Sequence, residues 1–320
     1  MAEQAKKRKK HRHHPREISG KNLLIATLLN LVITVVEIAG GILSNSLALL
    51  SDALHNLSDT FATFIAYVAI RVGKKKPTAK KTFGYKRIEI LAAVLNAVIL
   101  IVICFYLFRE AWERLQDPEP IKSLIVIIVA MIGLGANVLA VALLHKDSRK
   151  SINVKAAYVH LIGDSLSSVV VILAAGAIQL FGIYWLDPLV TFLIGIYLIR
   201  ESYVILKEAV NILMQSTPEN VKVNKIQSKV EAFPEVSSLH HLHVWNLDEN
   251  EIHLEAHVEL REDKKISQTN EIREKIETLL KQKFHIRHIT LQFEYNPDHG
   301  KSLIANPDEA TPRRKKNDDK

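Results

Sequence analysis

The sequence predicts an α-helical membrane domain of six spans, followed by a small C-terminal α+β domain of order α-β-β-α-β. Three observations carry this. The 320 residues are 48% hydrophobic, yet the long apolar runs are confined to residues 22–211, and the chain from Thr217 onward has ordinary globular composition. That contrast separates a membrane region from a soluble one. The apolar region divides into six runs, each long enough for a hydrocarbon core of about 30 Å. After Met214 the pattern changes to amphipathic helices and alternating strands.

Residues 1–21 form a basic tail with His11, His13 and His14. It reads as a solvated arm near anionic lipid, or as a weak metal-collecting arm. It is basic for too long to be the charged start of a secretory signal, so the first span is retained. The spans are Asn22–Leu43, Leu47–Ile70, Ile88–Phe108, Ser123–Leu144, Val154–Phe181 and Trp185–Ile205. The loops after spans two and four are rich in Lys and Arg. The loop after span three has acids that match or exceed its bases, and the loop after span five has no Lys or Arg. Basic loops face the cytoplasm, so this alternation predicts cytoplasmic N- and C-termini. The net charge of +8 sits in tails and loops, so no nucleic-acid partner is implied. The single cysteine, Cys104, rules out a disulfide framework and a cysteine-based zinc site.

Polar residues inside the spans form stripes. In span one they are Asn30, Thr34 and Glu37; in span three, Glu89 and Asn96. Such stripes face a bundle interior or a water-filled cavity. Asn30, Thr34, Asn96 and the span-five serines Ser167 and Ser168 read as helix–helix hydrogen-bonding groups, whereas Glu37 and Glu89 read as packing partners or pathway residues. Asp187-Pro188 reads as the start of span six, with Asp as the N-cap and Pro in the first turn.

One pattern occurs twice. His55 precedes Asp59 by four residues in span two, and His160 precedes Asp164 by four in span five. Residues i and i+4 share a helix face. Two such helices, packed face to face, would offer two imidazoles and two carboxylates to one point. That set suits a tetrahedral divalent cation such as Zn²⁺, and its two carboxylates cancel the ion's charge. Asp52 shares the broad face of span two and reads as a supporting group.

In the C-terminal region, Thr217-Pro218 opens a helix to about Phe233. Ser237–Leu247 and Glu251–Leu260 alternate as strands across a hairpin at 248–250, Ile266–Phe284 is an amphipathic helix, and His288–Tyr295 is a last strand. The order predicts an antiparallel sheet with helices on one face. Alternation puts His241 and His243 on one face of the first strand and His240 on the other. The strand histidines make a metal site at the sheet edge an expectation, and residues from about 297 are expected to be disordered.

These residues resemble the cation diffusion facilitator family, the proton-coupled zinc transporters, of the bacterial cobalt-zinc-cadmium efflux type. The resemblance rests on SNSLALLSDALHNLSD, FGYKRIEILAAVLNA, HLIGDSLSSV, WLDPLVT and HHLHVWNL, and runs from span one to Tyr295. It implies a multi-pass exporter in a bacterial cell membrane, not an enzyme. It also implies a homodimer with a cytoplasmic ferredoxin-like domain. The transport ligands it implies are His55, Asp59, His160 and Asp164. No prosthetic group is expected: Zn²⁺ is the substrate, with Cd²⁺ or Co²⁺ as further substrates and protons as the counter-ion. In the C-terminal domain the resemblance implies His240, His257 and Glu294 as metal ligands, with His288 as a fourth; there Zn²⁺ would be structural or regulatory. Gln292 stands where some members carry His, and Tyr85 where some bacterial members carry a His ligand, so no metal is expected at the loop after span two. The loop after span four is short, with only His145, as in bacterial members. Three alternatives stay open: the same transporter with Cd²⁺, Co²⁺, Ni²⁺ or Fe²⁺ as main substrate, a membrane metal sensor, and a membrane metalloenzyme, which the lack of a fifth, general-base group disfavours.

Overall fold

The computed structural model describes residues 20–73, 75–148, 152–297 and 300–304. Most of the N-terminal tail, including His11, His13 and His14, and residues 305–320 lie outside them. Six long helices come first: α1 (Gly20–Ser44), α2 (Leu47–Gly73), α3 (Ile88–Gln116), α4 (Ser123–Ser148), α5 (Ile152–Phe181) and α6 (Leu186–Leu213). Then follow α7 (Val223–Val230), β1 (Val236–Asp248), β2 (Glu251–Leu260), α8 (Ile266–Phe284) and β3 (His288–Glu294). The chain forms two compact units. Among the described residues, one holds 20–65 and 95–204 and the other 66–94 and 205–304, so the ends of α2, α3 and α6 group with the C-terminal domain.

Among the described residues, four helical stretches are long and apolar enough to cross a membrane: Ile88–Gln116, Ser123–His145, Tyr158–Phe181 and Leu186–Leu213. An apolar stretch of α1, Leu28–Ser44, is shorter. The α2 helix interrupts its apolar sequence with Asp52, His55, Asn56, Ser58 and Asp59. Burial in this unit is inverted relative to a soluble protein. Leu173, Leu180, Ile42 and Val102 stand exposed, while Glu37, Asp52, His55, Asn56, Asn137 and Asp164 are buried. Apolar exteriors with polar interiors are what a lipid solvent selects.

Small residues let the helices approach. A Cβ on Gly195 of α6 would fall 2.2 Å from the Phe108 ring of α3. The α1 stripe bonds to α2 through Asn30 Nδ2 to Thr60 Oγ1 at 3.4 Å. Thr34 Oγ1 instead donates to the Asn30 carbonyl within α1. Asn96 of α3 donates to Ser58 Oγ of α2 at 2.9 Å.

Asp187 does cap a helix, but not its own. Its carboxylate accepts from Ser46 Oγ at 2.5 Å and from Leu47 N at 2.8 Å, at the start of α2. Ser46 Oγ in turn accepts from Leu49 N at 3.2 Å. The carboxylate thus satisfies amides that α2 leaves without intrahelical partners.

In the C-terminal domain, α7 covers only eight residues, because the segment after Pro218 forms a turn before the helix begins. Ile226, Val230, Ile272, Ile276 and Leu280 of α7 and α8 pack on Leu239, Val244, Leu254 and Val258 of the sheet. The sheet order is β1-β2-β3. β1 and β2 form the expected antiparallel hairpin, but β3 runs parallel to β2. The expectation of a wholly antiparallel sheet is therefore corrected: α8 carries the chain back to the starting end of β2, as a crossover connection does. A second correction concerns β1. Its register slips between His240, which faces His257, and His243, which faces Glu255, with His241 at φ 50°. This bulge adds one residue and shifts the side-chain phase, so His240 and His243 share the face of Glu255 and His257.

Candidate metal centre

His55 and Asp59 lie one turn apart on α2, and His160 and Asp164 one turn apart on α5; the two pairs meet. His160 Nε2 is 3.0 Å from Asp59 Oδ2 and 3.6 Å from Asp164 Oδ2. His55 Nε2 is 3.3 Å from Asp164 Oδ1 and 3.6 Å from Asp59 Oδ2. All four ligand atoms lie within 4.8 Å of one another. With Zn–N and Zn–O bonds of about 2.0–2.1 Å, a tetrahedron has edges of about 3.4 Å, which the four cross-helix and intrahelix spacings bracket. Two neutral imidazoles and two carboxylates balance a divalent charge, so the donor set fits such an ion in chemistry as well as in size.

The surroundings orient this group. Asp52 stands outside it and accepts from Ser167 Oγ at 2.5 Å and Ser168 Oγ at 3.4 Å, joining α2 to α5. Those hydroxyls also donate to the Asp164 carbonyl. Tyr197 of α6 sets its ring edge-on to His55, 6.1 Å between centroids, and its hydroxyl donates to Glu201.

A second group sits on the sheet face opposite the helices. His240 Nε2 is 3.3 Å from Glu294 Oε2, and His257 Nδ1 is 2.8 Å from Glu294 Oε1. Gln292 donates to the same carboxylate at 2.7 Å. The cross-strand pairing of His240 with His257 sets this group. His288 is not part of it. It lies six residues before Glu294 on β3, about 20 Å at strand rise, and its ring meets His253 at 4.7 Å. The extended strand carries it to the other end of the sheet. Sequence reasoning passed over His241, which the bulge turns so that its ring stacks on His257 at 4.6 Å; the doubled His240-His241 was the available signal. His299 lies outside the described residues. Near the loop between α2 and α3, Lys81 sits over the Tyr85 ring, 4.1 Å from its centre.

Two acidic residues tie this second unit together. Burial pushes the Glu251 carboxyl up, but hydrogen bonds from Lys86 and His253 outweigh it and hold the group below its ordinary value of 4.5. At Glu259, burial is likewise outweighed by hydrogen bonds from Lys301 and Ser238. A carboxyl lowered in the folded chain stabilises the fold fully above its unfolded value, and that stabilisation is lost as pH falls through the folded one. Amide protection in β2 of the full chain is thus expected to drop as the pH is lowered below about 4.5, and Lys301→Ala to shrink the drop. Protection measured by hydrogen exchange across that range checks it; an unchanged profile in the variant removes Lys301 from the account.

Comparison with known proteins bears on both groups. The family model described as "Cation efflux transmembrane domain" matches residues 23–214, and "Cation efflux protein, cytoplasmic domain" matches 218–296. The chain is 37% identical over 298 residues to the "Cadmium, cobalt and zinc/H(+)-K(+) antiporter" of Bacillus subtilis, covering 92% of this chain and 96% of that one. It is 36% identical over 287 residues to the "Metal cation efflux system protein CzcD" of Cupriavidus metallidurans, covering 90% of each. To the "Zinc transporter ZitB" of Escherichia coli it is 36% identical over 296 residues, covering 92% and 93%. Matches of this length, over both the helical region and the domain after it, make the chain a member of the cation diffusion facilitator family, the cation efflux proteins.

Proposed function

We propose that this chain exports divalent metal ions across a bacterial cell membrane, with Zn²⁺ as main substrate and protons moving the opposite way. One observation carries the reading: His55, Asp59, His160 and Asp164 converge between two helices at the spacing of a tetrahedral ion's ligands. The relatives named for zinc, cadmium and cobalt, and for exchange with protons, support it. Imidazole suits Zn²⁺, and also Cd²⁺ and Co²⁺, because selectivity among such ions depends on geometry and ligand type more than on affinity.

In this reading residues 22–211 are a six-span transport domain with both chain ends in the cytoplasm. Residues 217–296 are a cytoplasmic domain that pairs two copies of the chain. His240, His257 and Glu294 offer that domain three donors for a regulatory metal.

The exchange follows from ligand chemistry. A metal binds deprotonated imidazole and carboxylate, so metal and protons compete for the same atoms. A histidine can hold either a proton or the metal on the same ring nitrogen, so loading one displaces the other. Opening the site to the cytoplasm loads metal and releases protons; opening it to the other side, with protons in excess, reverses the trade.

The test is a zinc gradient across sealed proteoliposomes, with a pH-sensitive dye inside. Proton movement opposite to zinc is expected. Zinc flux without proton flux removes the coupling, and bound zinc with neither flux favours a sensor.

A further inference from the structure

Behind the four ligands, α1, α2 and α4 enclose a polar pair that metal binding does not need. Glu37 of α1 is fully buried, and Asn56 of α2 is 1% exposed. Asn56 Nδ2 donates to Glu37 Oε2 at 2.8 Å. The remaining two atoms of the pair, Glu37 Oε1 and Asn56 Oδ1, are buried and have no hydrogen-bond partner. Both are acceptors if Glu37 is ionised, so nothing can join them. An amide and a carboxylic acid, in contrast, make two complementary hydrogen bonds. The pair is one donor short, and a proton on Oε1 would supply it.

A third buried atom without a partner completes the picture. Asn137 Nδ2, on α4, is a donor. It lies one turn beyond Gly133, and Gly133 is where Oε1 points: a Cβ there would fall 2.4 Å from it. The glycine leaves room for the carboxyl on the α4 face that carries Asn137. Two buried atoms without partners, Asn56 Oδ1 and Asn137 Nδ2, are thus the candidate partners of this oxygen. Protonated, Oε1 donates to Asn56 Oδ1. Ionised, it can turn to accept from Asn137 Nδ2 while Oε2 keeps its bond to Asn56.

We infer that Glu37 is a second proton-carrying site of the exchanger, separate from the four ligands: it holds a proton against Asn56 when the metal is absent and loses it when the metal binds. This rests on the exchange proposed above. The titratable groups facing Glu37 are Asp52 and His55 of α2 and Asp164 of α5. A divalent ion at the four ligands adds positive charge nearby and favours the carboxylate. The proton then leaves the Glu37 carboxyl for solvent, and no other bond is made or broken. The exchanger therefore counts one proton that ligand competition alone does not supply.

The experiment has two arms, both with Zn²⁺ added to the full-length protein. Calorimetry in buffers of different ionisation enthalpy gives the protons released per zinc bound. Glu37→Gln keeps an amide pairing with Asn56 and should bind zinc, releasing about one proton fewer than wild type; an unchanged count overturns the inference. Should that variant fail to fold, infrared difference spectra of wild type carrying ¹³C-carboxyl glutamate still decide. A protonated glutamate band in the zinc-free protein that disappears on adding zinc is expected; its absence, or its persistence with zinc, overturns the inference. Should Asp164→Ala leave zinc binding and flux intact, the exchange reading fails instead, while the infrared band still reports on Glu37.

Discussion

Asp164→Ala is expected to abolish zinc-driven transport and to weaken zinc binding by on the order of 100-fold or more. The scale follows from metal sites in which loss of an outer-shell partner alone costs roughly 10–100-fold. Asp164 is 3% exposed and lies within 3.6 Å of both histidines. Removing it leaves two imidazoles without the buried charge that balances a metal, and water reaches the gap poorly. Asp59→Ala should be milder in binding, because its side chain is 31% exposed and solvent can supply a ligand. Calorimetry of zinc binding, beside uptake into proteoliposomes, ranks the two. Transport retained in both variants would end the assignment of the site.

Asp187→Ala should be the most damaging change away from the four ligands. It strips acceptors from Leu47 N and Ser46 Oγ, both in buried residues. A buried donor left unsatisfied costs about 1–3 kcal/mol, and loss of an N-cap about 0.5–2 kcal/mol. The expected loss is about 1.5–5 kcal/mol, on the sum of those two effects. The thermal midpoint in detergent should fall accordingly, while zinc affinity in the surviving folded fraction changes little. Asp187→Asn keeps an acceptor and should fall less. A midpoint equal to wild type in Asp187→Ala would mean that water replaces the cap.

Much of this arrangement could be read in advance, because it is periodic. A His and an Asp four residues apart declare a shared helix face, and a second copy declares a partner. The apolar runs declare the helices. What escaped was non-local. Nothing near Asp187 indicates that its carboxylate reaches α2, 140 residues away, rather than its own helix. The strand period predicts the face of His240 relative to His243 only if no residue is extra, and the bulge at His241 breaks that count. The direction of β3 depends on where α8 returns the chain, which helix amphipathicity does not encode. Glu37 was legible as a buried polar residue, but its bond to Asn56 on α2 and its place beside Gly133 on α4 were not, since helix order in sequence does not fix neighbours in space.

The four ligands differ in wetness, and each helix supplies one of each kind. His55 and Asp164 are almost dry, with side chains 6% and 4% exposed, whereas Asp59 and His160 are 31% and 42% exposed. If these residues are the proposed ligands, an arriving ion would first meet the two more exposed donors, Asp59 and His160, and exchange part of its hydration shell there. The inner His55–Asp164 pair would take the remaining waters only once the ion is held. On that assignment, dehydration on entry is split into two smaller barriers in place of one large one.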